Sequence, residues 1–352
     1  MPGYAARTAT ADVVCLGESM VTFLPSQPGR LADVPSFGRG IGGAESNVAC
    51  ALAAAGHRAK WVGRVGADGF GDHLVDTIAG YGVDTSAVRR DPGRPTGIYF
   101  RTATDRATDA HEVAYYRAGS AASAMSPHNV PYEDLLSTRI LHLSGITAAL
   151  SADCLALLHD LTAPRDGRPP ISFDVNHRPG LWRDGEAGPE VLLDLARRCD
   201  LVFVGEDEAE EAWGVHGTEA IRAALPEPDV LVVKRGSEGV TVFSRTGDSP
   251  ERDTVTTVPS LRVDVVAAVG AGDAFAAGFL SATLRDLPVR DRARHGHLMA
   301  AAVLTVPGDL TGPPPRAYAD RLAALDDEAW GTLRLGPGWT AAAGANEEVR
   351  VT

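Results

Sequence analysis

Lysine is nearly missing from this chain of 352 residues. Lys60 and Lys234 are two of its 33 basic residues, and neither sits in a Gly-Lys-Ser/Thr arrangement. That excludes a Walker-type P-loop, whose lysine reaches the β- and γ-phosphates. Cysteine is scarce too. Cys15, Cys50, Cys154 and Cys199 lie far apart with no C-x-x-C, so neither a zinc site nor a disulfide framework is indicated, and the reduced thiols of a cytoplasmic protein are expected. Positive charge is in deficit: 33 basic against 46 acidic residues leave a formal charge of −13, which argues against nucleic acid or an anionic membrane as partner. The start of the chain lacks the basic and apolar regions of a signal peptide. The longest apolar tract, 263–284, carries Asp264, Asp273 and several glycines, which suits a buried helix and its entry turn better than a membrane span.

Glycine, by contrast, is plentiful, and its placement is informative. In Val269-Gly270-Ala271-Gly272-Asp273-Ala274-Phe275 two glycines flank an alanine at the mouth of a small-residue helical run. Backbone N–H groups there can approach a ligand with no Cβ in the way, and the helix dipole favours negative charge. Asp273 follows in the first helical turn, where a carboxylate can accept a hydroxyl proton while phosphate rests on the amides. Taken alone, the tetrapeptide is equally a turn capping a buried helix.

The segments upstream bear on that choice. Gly38-Arg39-Gly40-Ile41-Gly42-Gly43 formally satisfies G-x-G-x-x-G. Pro35 spoils the strand that should precede it, and no acidic residue ends a second strand about 20 residues on, so a dinucleotide fold is disfavoured. Next comes Gly42-Gly43-Ala44-Glu45-Ser46-Asn47, entering a helix of small residues stopped by Gly56. Its amino end can present Asn47 to a polar ligand. Lys60-Trp61-Val62-Gly63-Arg64-Val65-Gly66-Ala67-Asp68-Gly69 then reads as a strand and a Gly-Asp loop.

Together, residues 42–72 and the Gly270–Asp273 turn resemble the amino- and carboxyl-terminal signatures of the ribokinase-like (PfkB) carbohydrate kinases, in order and about 200 residues apart. Gly-Gly-Ala-Glu-x-Asn is similar to the version found in that family's 2-keto-3-deoxygluconate kinases. The resemblance implies an α/β fold with a central, mostly parallel sheet, helices on both faces and a small β lid. It spans residues 11–335, with lid strands from 19–43 and 94–120 and flexible tails at 1–10 and 336–352. The strand and helix alternation from 139 onward agrees with that layout, which puts ligands at the carboxyl edge of the sheet.

Site residues follow from the same resemblance. Gly270, Ala271 and Gly272 form the anion hole with Asp273 as base. Gly42, Gly43, Asn47, Tyr99, Tyr115, Arg117 and Arg178 bind the sugar with Asp273, and Lys234, Gly236, Gly239, Gly270 and Gly272 border the nucleotide. Arginine offers a planar fork to a carboxylate, which suits an acid sugar. Glu208 stands where relatives use a Glu to arrange Mg²⁺, although Gly205 replaces the usual Asn. Ala267 and Ala268 replace an Asp and a Thr that commonly precede the glycine turn, which leaves monovalent-cation dependence open. The expected activity is transfer of phosphate from ATP-Mg²⁺ to a primary hydroxyl of 2-keto-3-deoxygluconate. The alternatives are fructokinase or ribokinase activity on a neutral sugar, or a non-catalytic sugar-binding regulator. A homo-oligomer built through the lid sheet is also expected.

Overall fold

The structure, a computed structural model, describes residues 9–27, 29–102, 112–182, 188–246 and 249–341. Its centre is an eight-stranded sheet in the spatial order Ala59–Val62, Ala11–Leu16, Thr138–Ser144, Ile171–Asp174, Leu201–Gly205, Val230–Lys234, Val240–Thr246 and Ser249–Val258. The first six run parallel, and the last two add an antiparallel ribbon at one edge.

The strands read as unbroken apolar runs because both of their faces are covered. Val13, Cys15 and Phe203 point into one core, with the helices Ala44–Ala54, Ala271–Leu284 and Val289–Leu304. Val14, Leu16, Val202 and Val204 point into the other, with Ala152–Thr162, Gly188–Arg197 and Glu206–Trp213. Alternate residues of one strand serve opposite layers, as a period of two requires. Phe203 meets Phe279 edge to face at 5.5 Å, which fastens the Ala271–Leu284 helix across the middle of the sheet.

A second sheet stands beside the carboxyl edge. Its four strands lie in the order Phe37–Gly42, Met20–Pro25, Ile98–Arg101 and Val113–Tyr116, within the two segments read as lid. The connection between its last two strands, 103–111, lies outside the described residues.

Most of the two expected tails, residues 1–8 and 342–352, lies outside the described residues. The Thr10 N–H donates to Ser137 O at 3.1 Å. At the other end the expected flexible stretch begins too early. Trp339 is buried beside Tyr318, ring centroids 6.1 Å apart; a Gly- and Ala-rich composition concealed one aromatic anchor.

Candidate active site

Three segments reach the cavity from different layers. The Ala271–Leu284 helix starts at Gly270, whose φ of 78° is left-handed and whose Cβ, were there one, would meet Asp309 O at 2.5 Å. Glycine is required there for both reasons. No side chain caps this helix. Ala274 N–H bonds back to Gly270 O at 2.9 Å, and helix geometry leaves the N–H groups of Ala271, Gly272 and Asp273 without intrahelical acceptors. A Cβ on Gly272 would have Lys234 Nζ, 3.8 Å away, as its neighbour, so the turn is not crowded on that side.

The Ala44–Ala54 helix arrives alongside. Gly43 lets it come close, since a Cβ there would lie 2.4 Å from Glu18 O. Its first turn places Asn47 Nδ2 2.8 Å from Asp273 Oδ2, across 226 residues of sequence. Glu45, in the same motif, turns inward instead and accepts from Thr147 Oγ1 at 2.7 Å.

Asn47 and Asp273 line a cavity of about 300 Å³ together with Gly42, Gly43, Tyr99, Tyr115, Arg117, Arg178, Glu208, Lys234, Gly270, Ala271 and Gly272. Gly236 and Gly239, expected at the nucleotide, do not line it. They make the turn between Val230–Lys234 and Val240–Thr246, where a Cβ on Gly239 would strike Val258 O.

Charge is densely compensated around the cavity. Lys234 Nζ lies 3.2 Å from Asp174 Oδ2; burial pulls its pKa down, but Asp174, Glu208 and Asp273 outweigh that and raise it. Arg117 pairs with the buried Glu18, which also accepts from Ser120 Oγ at 2.6 Å. The Arg117 Nε is buried with no hydrogen-bond partner in the structure, and its guanidinium lies 5.7 Å from the Tyr115 ring centre. Arg178 Nη1 stands 3.6 Å from Glu208 Oε1, while Glu208 Oε2 accepts the Gly205 N–H at 2.8 Å. Asp309 receives Tyr99 OH at 3.0 Å and pairs with the buried Arg101 at 2.5 Å. The Asp309 loop thus faces the lid.

Asp273 is pushed up to about 7. Burial is the main cause; the Asn47 hydrogen bond and Lys234 oppose it, while Asp174 and Asp309 add repulsion. Such a group holds and releases a proton near neutrality, the range in which a general base works best.

Sequence reasoning assigned no site role to Glu18, Asp174, Asn176 or Asp309, all of which line the cavity. The signal for the first three was their place at or just past the carboxyl ends of parallel strands. Asp309 lies in an irregular loop after Pro307-Gly308, and no local pattern marks its pairing with Tyr99 and Arg101 of the lid.

Comparison with known proteins names the family. Residues 10–316 match the model of the pfkB family carbohydrate kinases. The chain belongs to that family. This carbohydrate kinase is 36% identical over 310 residues to the 2-dehydro-3-deoxygluconokinase of Bacillus subtilis (strain 168), covering 87% of this chain and 93% of that one. It is 35% identical over 321 residues to the enzyme of the same name from Thermoproteus tenax, covering 90% and 96%. Among solved structures, the PfkB protein of Polaromonas sp. JS666 superimposes with a TM-score of 0.76 at 33% identity, covering 88% and 99%. A fructokinase from Xylella fastidiosa with bound ATP gives 0.76 at 25% identity, covering 88% and 97%.

Proposed function

We propose that this kinase phosphorylates 2-keto-3-deoxygluconate (2-dehydro-3-deoxygluconate) at its primary hydroxyl, with ATP as donor. The observation that carries the reading is the presence, in one cavity, of Asp273 at a helix start whose first amides have no intrahelical acceptor and of Arg117, whose buried Nε has no hydrogen-bond partner among the described residues. A sugar acid supplies a hydroxyl for the first and a carboxylate for the second. A buried donor left unpaired is costly, so the site favours a ligand that pairs it.

In this reading Asp273 Oδ takes the hydroxyl proton as the sugar oxygen bonds to the γ-phosphorus and the bond from phosphorus to ADP oxygen breaks. Asn47 holds the carboxylate in place by its 2.8 Å bond. The amides of Ala271, Gly272 and Asp273 and the Lys234 ammonium bear the phosphate charge. Positioning and charge neutralisation carry most of the rate, since the transition state is loose. Among the described residues no group of three or more His, Cys, Asp or Glu can hold a metal ion. Mg²⁺ bound with the nucleotide would help to neutralise its phosphates, with Glu208, which lines the cavity, as a candidate outer partner. Cytoplasmic ATP suits four free cysteines that are all buried.

A neutral sugar is the second reading, and one observation favours it: Arg117 and Arg178 already face Glu18 and Glu208. Turnover with a panel of 2-keto-3-deoxygluconate, fructose and ribose decides between the two. The acid sugar should give the highest kcat/KM, and Arg117→Ala should raise its KM about tenfold or more, the worth of one charge-assisted pair. Higher kcat/KM with fructose or ribose contradicts the sugar-acid reading.

A further inference from the structure

A second cavity, about 350 Å³, lies on the side of the molecule away from the lid and is as roomy as the active site. It is walled by the carboxyl end of the Ala44–Ala54 helix, by Gly278 and Ser281, by His295 and Met299, and by the Pro313–Pro315 run leading into the Arg316–Ala323 helix. None of these residues takes part in the chemistry described above.

Its charge is unusual for a chain of net −13. Two guanidiniums, Arg285 and Arg316, line it. Asp320 compensates the first, with both oxygens 2.8 Å from Arg285 Nη2, and also takes His295 Nε2 at 3.2 Å. Arg316, exposed at the cavity rim, donates to Ala55 O at 3.2 Å and makes no ion pair among the described residues. Of the two lining guanidiniums only Arg285 is paired with a carboxylate. Asp291 acts on His295 and Asp12 on His57 from further off, which leaves Arg316, among the described residues, as the unpaired cation of the cavity. His57, bonded to Ser281 Oγ at 2.8 Å, senses it: burial and then Arg316 lower its pKa, with Arg285 and Arg139 adding to the effect against Asp12.

We propose that this cavity binds a small organic anion, a phosphorylated or carboxylated metabolite of three to six carbons, and that occupancy is felt at Asp273. The connection is built from three elements that each touch both sites. The Ala44–Ala54 helix carries Asn47 at one end and Ala54 at the other. The Ala271–Leu284 helix carries Asp273 in its first turn and Gly278 and Ser281 further on. The loop after Leu304 carries Asp309 to the active site and Pro313 to this cavity. At Gly278 the packing has no slack, since a Cβ there would meet His295 O at 2.3 Å. A ligand wedged between these segments shifts close-packed helices as units rather than deforming them.

The test is calorimetric titration of 3-phosphoglycerate, inorganic phosphate and glycerol into the full chain, with a saturating non-hydrolysable ATP analogue occupying the kinase site. Arg316→Gln removes the charge while keeping a donor for Ala55 O, and matching circular dichroism confirms its fold. Expected are binding of 3-phosphoglycerate, weakening by about tenfold or more in Arg316→Gln, and no heat with glycerol. Binding of inorganic phosphate alone, with no gain from the carbon skeleton, overturns the metabolite class. No binding of either anion at millimolar concentration, or equal binding in both proteins, overturns the site. Hydrogen exchange reads the connection: 3-phosphoglycerate should slow amide exchange in the first turns of the Asn47 and Asp273 helices in the wild type, whereas binding with no change there overturns the coupling.

Discussion

At the scale of single residues, the proposed chemistry rests on one carboxylate held near neutrality. Asp273 sits at about 7 because burial outweighs the Asn47 bond and Lys234. Free enzyme should therefore lose kcat/KM on the acid side with an apparent pKa near that value, as the base becomes protonated. The Asn47 bond stabilises the charged form, so Asn47→Ala should move this limb to higher pH; a limb that stays in place or moves down contradicts the assignment. The glycine motifs indicated Asn47 and Asp273 because short-range pattern and spacing are visible in a sequence. Glu18 and Asp309 acquire their meaning from partners about 100 and 210 residues away, which no local pattern records.

At the scale of elements, the glycine turn at 270 joins two functions. Its left-handed backbone starts the helix, and its missing side chain admits the Asp309 loop. Gly270→Ala adds about 1–2 kcal/mol of backbone strain and a 2.5 Å clash with Asp309 O. Urea unfolding should show a loss of at least about 1 kcal/mol; unchanged stability would mean that the turn can relax. The strands and helices of the main layer were legible because buried parallel strands read as apolar runs between glycine turns. The lid strands, which the resemblance places over 19–43 and 94–120, fall within those two segments. Gly236 and Gly239 were assigned to the nucleotide by resemblance, whereas their place in the structure follows from a hairpin and the close approach of Val258 O.

At the scale of the whole molecule, the lid ends on a strand that pairs with no described strand on its outer side. Val113–Tyr116 is the outermost strand of its sheet, and Tyr115 and Tyr116 are 53% and 64% exposed. An unpaired edge bearing aromatics invites a second copy. Light scattering should give about twice the chain mass of 36.8 kDa or more, and a concentration-independent monomer contradicts association through the lid. The overall architecture could be read in advance because signatures at both ends of the chain fix the order of everything between them. The second cavity could not, since its walls come from three separated segments and carry no motif.

The most direct test is the single-turnover rate of Asp273→Asn with 2-keto-3-deoxygluconate and ATP, measured alongside nucleotide affinity and thermal stability at pH 8. Raising a carboxylate's pKa on folding costs stability as pH climbs through about 4 to 7, so the amide should melt no lower than the wild type. Its amide oxygen can still accept from Asn47. The account predicts a rate about 10²–10⁴-fold lower with ATP binding intact; turnover close to wild type in a folded, ATP-binding variant would contradict it.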